Sequence, residues 1–423
     1  MPADSIVDNP PETNSKVYRQ RGFIAFVAAR LAALLAMQIQ AVVVAWQVYD
    51  ITRDPMSLAY VGLAQFLPMV LLLLPAGDLV DRYDRMRILV LSWTTQALCS
   101  GLLLWLSASG TAGVESYYAV LVLFGCARAF NGTTLQSLLP QVVPREQLAQ
   151  AIALNSMIMK IAVIGGPMLG GVLYAVGGSL AYAVCLGSFL LGLILLNYVP
   201  VRFADKFTAL EATAWERFTA GISYIRSRPL ILGVISLDLF AVLLGGVVAL
   251  LPIYAQDVLH VGPEGLGALR SAIALGAFLM GLYLSIWTIT RHVGIVMFIA
   301  VAVFGVANLV FAFSTWFWLS FLALAVAGAA DMISVYIRIT LIQLATPDEM
   351  RGRVNAVNML FIGSSNELGE FRAGTSAAWI GAVPAAVVGG LCTLGVVGAW
   401  MFAFKPLRKV DSFTDVTAVR PPR

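Results

Sequence analysis

Charge is scarce in this chain. Only 12% of its 423 residues are Asp, Glu, Lys or Arg and 60% are hydrophobic, with a mean hydropathy of +0.86. Soluble domains carry about 25% charged residues, so an ordinary soluble globular protein is excluded and an integral membrane protein is indicated. No polar stretch is long enough for a soluble domain, which leaves one membrane domain with short tails. Histidine is nearly missing: His260 and His292 lie far apart near the ends of apolar runs and read as solvated loop residues, so no metal site is expected. The four cysteines, Cys99, Cys126, Cys185 and Cys392, sit inside apolar runs without C-x-x-C spacing, which argues against a disulfide framework or a zinc site. Also absent are the phosphate-binding G-x-x-x-x-G-K-[ST], the zinc-binding H-E-x-x-H and the nucleophile turn G-x-S-x-G. The chain is therefore read as no enzyme, without cofactor, drawing on an ion gradient rather than ATP unless a separate ATPase subunit drives it. Its net charge of +4 reflects where a membrane protein places Lys and Arg, and implies no nucleic acid partner.

What is present is a series of apolar runs, at about 22–50, 58–79, 87–109, 117–139, 150–176 and 179–199, then 231–255, 265–288, 292–313, 316–344, 352–375 and 379–404. Twelve membrane spans in two sets of six are predicted, the longer ones tilted or kinked. Twenty of the 27 Lys and Arg fall on the leader, alternate loops and tail of one side, Arg53 stands alone on the other, and six lie within spans. The positive-inside rule then places both termini in the cytoplasm. The first apolar run is too long and too rich in Gln for a cleavable signal, so the leader is expected to remain. The expected organisation is a cytoplasmic tail at 1–21, a six-helix bundle at 22–199, a cytoplasmic linker at 200–230, a second bundle at 231–404 and a tail at 405–423. Within the linker, Trp215, Phe218, Ile222 and Ile225 recur at helical spacing and predict an amphipathic helix whose simplest role is a tether.

The two halves repeat. Pro144, Glu146, Ala153 and Asn155 recur as Pro347, Glu349, Ala356 and Asn358, and Gly125, Gly166 and Gly171 recur as Gly328, Gly369 and Gly374, all at an offset of 203. Duplication of a six-helix unit is the economical explanation.

Between the second and third runs, residues 77–87 read as a charged turn. Gly77 would let the two helices approach closely, Asp81 and Arg82 would cap or bridge helix ends, and Arg85 and Arg87 would hold the loop in the cytoplasm. The pattern G-x-L-x-D-R-x-x-R resembles the loop between helices 2 and 3 of the major facilitator superfamily, with Asp84 where the family has Gly and Met86 where it has a basic residue. Arg128-Ala129-Phe130-Asn131-Gly132 resembles the R-x-x-Q-G pattern of proton-coupled members, Asn131 replacing Gln. Gly166-Pro167-Met168-Leu169-Gly170-Gly171 resembles the G-P-x-x-G-G signature of members that exchange substrate for protons. Pro167 would permit a bend, and the glycines would let a neighbouring helix close a leak path. Arg30, the linker end Arg228-Pro229-Leu230 and residues 346–355 narrow the resemblance to the branch containing the enterobactin exporter and macrolide efflux proteins.

Every ionisable residue inside a span needs a partner or a wet cavity. The first half holds Arg30, Arg128 and Lys160; the second holds Asp238, Asp331, Glu367 and Glu370 with Arg270, Arg338 and Arg372. Arg128 and Asp331 are related by the 203 offset and become candidates to face one another across a central cavity. Counted from the starts of their spans, Asp238 matches Arg30 within about one residue. Glu367 and Glu370 share a helical face and could share a proton or pair with Arg372. Asp331 is the preferred proton carrier, followed by Asp238; buried ion pairing is the alternative role for the whole set.

The resemblance implies an all-α major facilitator fold of two pseudo-symmetric bundles with alternating access to a central site. It implies a monomer in the bacterial inner membrane whose partners are a small molecule, protons and lipid. The expected activity is export of a small organic molecule by proton antiport, with a siderophore of the enterobactin type as the leading substrate. A multidrug or macrolide efflux pump is the alternative, and an uptake symporter or a non-transporting sensor stands behind it. Arg30, Arg128 and Lys160 would suit an anionic or catecholate ligand.

Overall fold

A backbone crossing hydrocarbon must satisfy its own N–H and C=O groups, and this chain does so by helix nearly throughout. The computed structural model describes residues 21–110, 113–144, 147–199 and 214–416. The first half comprises α1 (Arg21–Thr52), α2 (Pro55–Arg82), α3 (Arg85–Ser109), α4 (Val114–Val142), α5 (Leu148–Val176) and α6 (Gly178–Leu196). After α7 (Ala214–Ser227) come α8 (Pro229–Gly245), the one-turn α9 (Leu251–Ile253), α10 (Pro263–Ile286), α11 (Val293–Phe313), α12 (Phe317–Ala345), α13 (Asp348–Ile380) and α14 (Ala382–Ala403), with the short α15 (Lys405–Arg408) behind them. Counting α8 and α9 as one interrupted span, two sets of six long helices stand among the described residues, and the chain is an all-α membrane protein. Several exceed the bilayer: the 32 residues of α1 extend for about 48 Å against a hydrocarbon core of about 30 Å.

Among the described residues ten of these spans are apolar and long enough to cross a membrane on composition alone. The other two long helices are α4, which carries Arg128 and Asn131, and α13, which carries Glu367, Glu370 and Arg372. Polarity in those two helices is concentrated where the functional candidates lie.

Duplication is visible in packing. Gly125 of α4 abuts the backbone of Gln65 in α2, and its repeat mate Gly328 of α12 abuts the backbone of Ile273 in α10. Gly166 of α5 lies against Gln38 of α1, while Gly369 of α13 lies against Val242 and Leu243 of α8. Gly171 meets Pro263 and Glu264 of α10; Gly374 meets Ala59 of α2. The first two pairs build each bundle internally, and the third joins one bundle to the other in both directions. Small residues are needed at these points because, in lipid, helices associate by close packing rather than by hydrophobic expulsion.

Three sequence expectations change. The span expected at 231–255 is interrupted: α8 ends at Gly245, a 3-10 turn covers Val248–Leu250, and a π-helical turn covers Tyr254–Val258. Gly245, Gly246 and Pro252 account for the break, since glycine weakens helix and proline lacks the N–H that would continue it. The freed carbonyls are satisfied by side chains: Asn308 Nδ2 donates to Gly245 O at 3.0 Å and Arg372 Nη2 to Gly246 O at 3.1 Å. The charged turn at 77–87 is mostly helix, because α2 continues to Arg82 and Asp84 caps α3 by accepting from Met86 N at 2.8 Å. Finally, the second tail is folded as far as Val416. Val293 and Gly294 N–H groups donate to Asp411 and Val410 carbonyls at 3.1 and 3.0 Å, and Leu407 is fully buried.

The linker helix forms as α7, with Phe218, Ile222 and Ile225 packed against Ile342, Met350, Val354 and Val357. Trp215 departs from that face and is 61% exposed, its ring 6.1 Å from Phe218. Residues 1–20, 200–213 and 417–423 of the expected tails and linker lie outside the described residues.

Gly328→Val should force α12 off the Ile273 backbone and cost about 1–3 kcal/mol, an overpacking penalty. Gly395→Ala, where a Cβ meets nothing within 4 Å, serves as the control and should leave stability unchanged or slightly raised. Thermal unfolding in detergent checks the pair; equal midpoints would show that close approach is not limiting.

Candidate functional site

The two halves enclose a cavity of about 190 Å³ whose wall takes Met37, Gln38, Ala41 and Ala45 from α1, Gln65 from α2, Arg128 from α4, Val248, Ala249 and Pro252 from the interrupted span, Arg270 from α10, and Glu367 and Glu370 from α13. Non-helical backbone at membrane depth is tolerated where it lines a cavity, which is where the α8–α9 break lies.

Charges cross this cavity in both directions. Arg128 of the first half places Nη2 3.4 Å from Glu367 Oε1 of the second, and its Nη1 donates to Gln65 Oε1 at 3.3 Å. Conversely, Arg270 of the second half donates to the Ala41 carbonyl of α1 at 3.4 Å. Glu370, on the same face of α13 as Glu367, lies in the field of both Arg270 and Arg128. A charge at the centre of a lone transmembrane helix costs roughly 2.5–3.5 kcal/mol on insertion scales, so these groups hold one another in place.

This arrangement differs from the symmetric expectation. Arg128 is met by Glu367 rather than by Asp331. Asp331 instead feels Asp238 and Arg338 from its own half and Lys160 of α5 from the other. Asp238 does not line the cavity: it is paired with Arg338, with side chains 6% and 3% exposed, in a buried bridge from α8 to α12. Arg372, expected to pair with Glu367 or Glu370, is turned to the Gly246 carbonyl. The offset rule located equivalent positions; side-chain reach and helix rotation decided which of them meet.

The exporter-like segment sits in the seam. A Cβ on Gly166 would collide with the Gln38 side chain, one on Gly170 would crowd Ile39 of α1, and one on Gly171 would enter the α10 backbone. Gly267 of α10 approaches Pro167 and Met168 in return, and the Ser271 hydroxyl donates to the Ile164 carbonyl at 2.7 Å, about one turn before Pro167. Thus α5 is clamped between α1 of its own half and α10 of the other. Gly77 makes no comparable contact, since a Cβ there would meet nothing within 4 Å. The close helix approach expected at that glycine is therefore not present in this conformation. Asp81 belongs to α2, but its side chain lies outside those described; Arg82 is exposed and Arg85 opens α3.

At the turn between α1 and α2 a group not singled out from sequence joins the halves. Tyr49 of α1 donates its hydroxyl to Asp257, and Arg53 contacts Asp50 at 2.7 Å and Asp257 at 3.7 Å. Arg53 holds a left-handed backbone, φ 51°, that L side chains rarely adopt. Its isolation as the one cation on that side was a usable signal. Gln38 and Gln65, also overlooked, are polar residues in apolar runs, which is signal enough for an inward-facing position.

Comparisons with known proteins give the family and the fold. The model of a family described as transmembrane secretion effector matches residues 14–422. Among curated proteins, the chain is 28% identical over 357 residues to the enterobactin exporter EntS of Citrobacter koseri, spanning 79% of this chain and 80% of that protein. It is 26% identical over 356 residues to EntS of Shigella dysenteriae, with the same coverage. Among solved structures, a bacterial homologue of the lysosomal transporter Spinster, inward-facing and unoccupied, superposes with a TM-score of 0.70 at 16% identity, covering 93% of this chain and 97% of that one. A bacterial homologue of the iron transporter ferroportin, in its inward-facing state, gives a TM-score of 0.70 at 18% identity over 92% and 99%. With a family match over nearly its full length and the fold of major-facilitator-type transporters, the chain belongs to the transmembrane secretion effector family.

Proposed function

We propose that this transporter exports a small organic molecule from the cytoplasm by alternating access, in exchange for protons. The observation that carries the reading is the reciprocal bridging of the halves inside the cavity, Arg128 to Glu367 and Arg270 to the α1 backbone. A carboxylate held between cations of both halves is a switch: protonation removes its charge, weakens the bridge and lets the halves part, while loss of the proton draws them together. Glu370 has this position in the fields of Arg270 and Arg128, Glu367 beside it meets Arg128, and Asp331 lies in the fields of Arg338 and Lys160. Asp238, locked to Arg338 inside one half, serves to hold that half rigid.

A siderophore of the enterobactin type is the proposed substrate. Support comes from the exporters that the chain resembles and from Arg128 and Arg270 in the cavity wall, which suit a catecholate. The 190 Å³ cavity is smaller than the roughly 300–1,000 Å³ of a drug-sized pocket, so the halves must separate further to admit such a molecule. Multidrug or macrolide efflux is the second reading, favoured by the apolar share of the wall: Met37, Leu58, Val61 and Phe124. The proposed setting is the bacterial inner membrane with both termini in the cytoplasm. The sealed end bearing Tyr49, Arg53 and Asp257 then faces outward, and the conformation is inward-facing.

Two expected outcomes test this. A reporter active only outside the cytoplasm should be silent when fused after Val416 and active when inserted beside Arg53; the reverse pattern would invert the transport direction. In cells lacking their own exporters, the protein should release a catecholate siderophore, and a protonophore should stop the release. Glu367→Gln and Asp331→Asn should lower it at least tenfold at unchanged protein level. Changed resistance to antibiotics without siderophore release would replace the siderophore reading by the efflux reading.

A further inference from the structure

Six cations lie within the spans. Among the described residues Arg128 meets Glu367, Arg338 meets Asp238, Arg270 reaches Ala41 O beside Glu370, and Arg372 caps the Gly246 carbonyl, while Lys160 is exposed and has Asp331 in its field. Arg30 is buried and has no such partner among them. Its Nε is enclosed without a hydrogen-bond partner, and no carboxylate acts on it.

Two bland explanations for such a residue are available. An arginine near a helix end can snorkel, burying its stem and carrying its head to water, but Arg30 is only 8% exposed. It could instead be a structural ion-pair member, yet the acid at the matching place in the second half, Asp238, is consumed by Arg338. A buried cation without counter-charge is expensive to keep, and the remaining way to balance it is an anion from outside the chain.

Its position says which anion. Met37 and Ala41 line the cavity from α1, and with 3.6 residues per turn both fall within about 20° of Arg30 around the helix axis. Arg30 is therefore on the cavity stripe, two turns or about 10 Å beyond Met37 toward the start of α1. That end lies away from the Tyr49–Asp257 seal, and is where a molecule must enter if the seal closes the other mouth. A guanidinium presents a planar fork of donors that matches a carboxylate or catecholate in two parallel hydrogen bonds, which an ammonium cannot do.

We propose that Arg30 anchors the acidic group of the exported molecule, a carboxylate or catecholate, at an entry subsite on α1 separate from the Arg128–Glu367 centre. This rests on the export reading above and names the charge class of its substrate. The subsite selects anions on entry, while the central acids couple transport to protons. An uncharged analogue of the same ring would pass Arg30 without benefit and be taken up poorly at low concentration.

The test uses the full chain purified in detergent, titrated with 2,3-dihydroxybenzoate, with uncharged catechol, and with sodium chloride at matched ionic strength, following the thermal unfolding midpoint. Dihydroxybenzoate should raise the midpoint of the wild type. Its apparent affinity should fall at least tenfold in Arg30→Gln and by a smaller factor in Arg30→Lys, while catechol binding changes less than twofold. Without ligand, Arg30→Gln should unfold at the same or a higher temperature, because an unbalanced charge has been removed. The inference is overturned if dihydroxybenzoate does not bind the wild type, if Arg30→Gln binds it unchanged, or if chloride stabilises the wild type equally. It is also overturned if Arg30→Gln lowers the unliganded midpoint and weakens both aromatic probes alike, the signature of a structural arginine. Absence of siderophore release in cells would count against the substrate named earlier, and would leave a selective dihydroxybenzoate response standing for another acid.

Discussion

The constraint on which the rest of the structure depends is that hydrocarbon offers no partner to a charge or to an open backbone group. Each polar feature in the spans has therefore to be completed from inside the protein, and the completions are what join the helices. Asp238 with Arg338 fastens α8 to α12; Arg372 and Asn308 close the broken end of α8 from α13 and α11. Arg128 with Glu367 does the same between halves. The difference is that the first two completions are internal to a bundle and need never open. The third spans the boundary between the bundles, along which the proposed alternating access would move them.

That separation gives each ion pair a different physical consequence. A buried pair within one rigid unit contributes little net stability, since desolvation offsets much of the attraction, but breaking it leaves an uncompensated charge. A pair across the boundary between the halves, if the proposed export cycle opens it, has other charges within reach in the cavity wall: Glu370 lies beside Glu367, and Arg270 lines the same cavity as Arg128. The glycines that bring α5 against α10 and α13 against α2 set how closely the halves approach.

Much of this was legible in the chain. The twelve apolar runs, the six-plus-six division and the 203-residue repeat all correspond to observed packing, and Gly125 with Gly328 make equivalent contacts in the two bundles. Composition reads these features because small residues and apolar length are properties of single positions and windows. Partnership is different in kind. That Arg128 would choose Glu367, that Arg372 would turn to a carbonyl, and that Gly77 would face open space depend on rotation and tilt, which a linear offset does not encode. The interrupted seventh span was signalled by Gly245, Gly246 and Pro252, but hydropathy masks it, since the segment remains apolar throughout.

The least hydrophobic helices are the informative ones. Among the described residues α13 lacks the composition of a lone membrane span, and its carboxylates meet a counter-charge in Arg128 of α4. Part of their polarity joins helices, as Arg372 does at the Gly246 carbonyl and Asn131 does by accepting from Trp93 Nε1, while Arg128, Glu367 and Glu370 are turned to the cavity. Arg30 repeats the argument on a single position: it is a buried cation on the stripe of α1 that carries Met37 and Ala41, with no hydrogen-bond partner for its Nε among the described residues. Where a membrane protein keeps charges that its own fold does not require, the requirement lies with what passes between the helices.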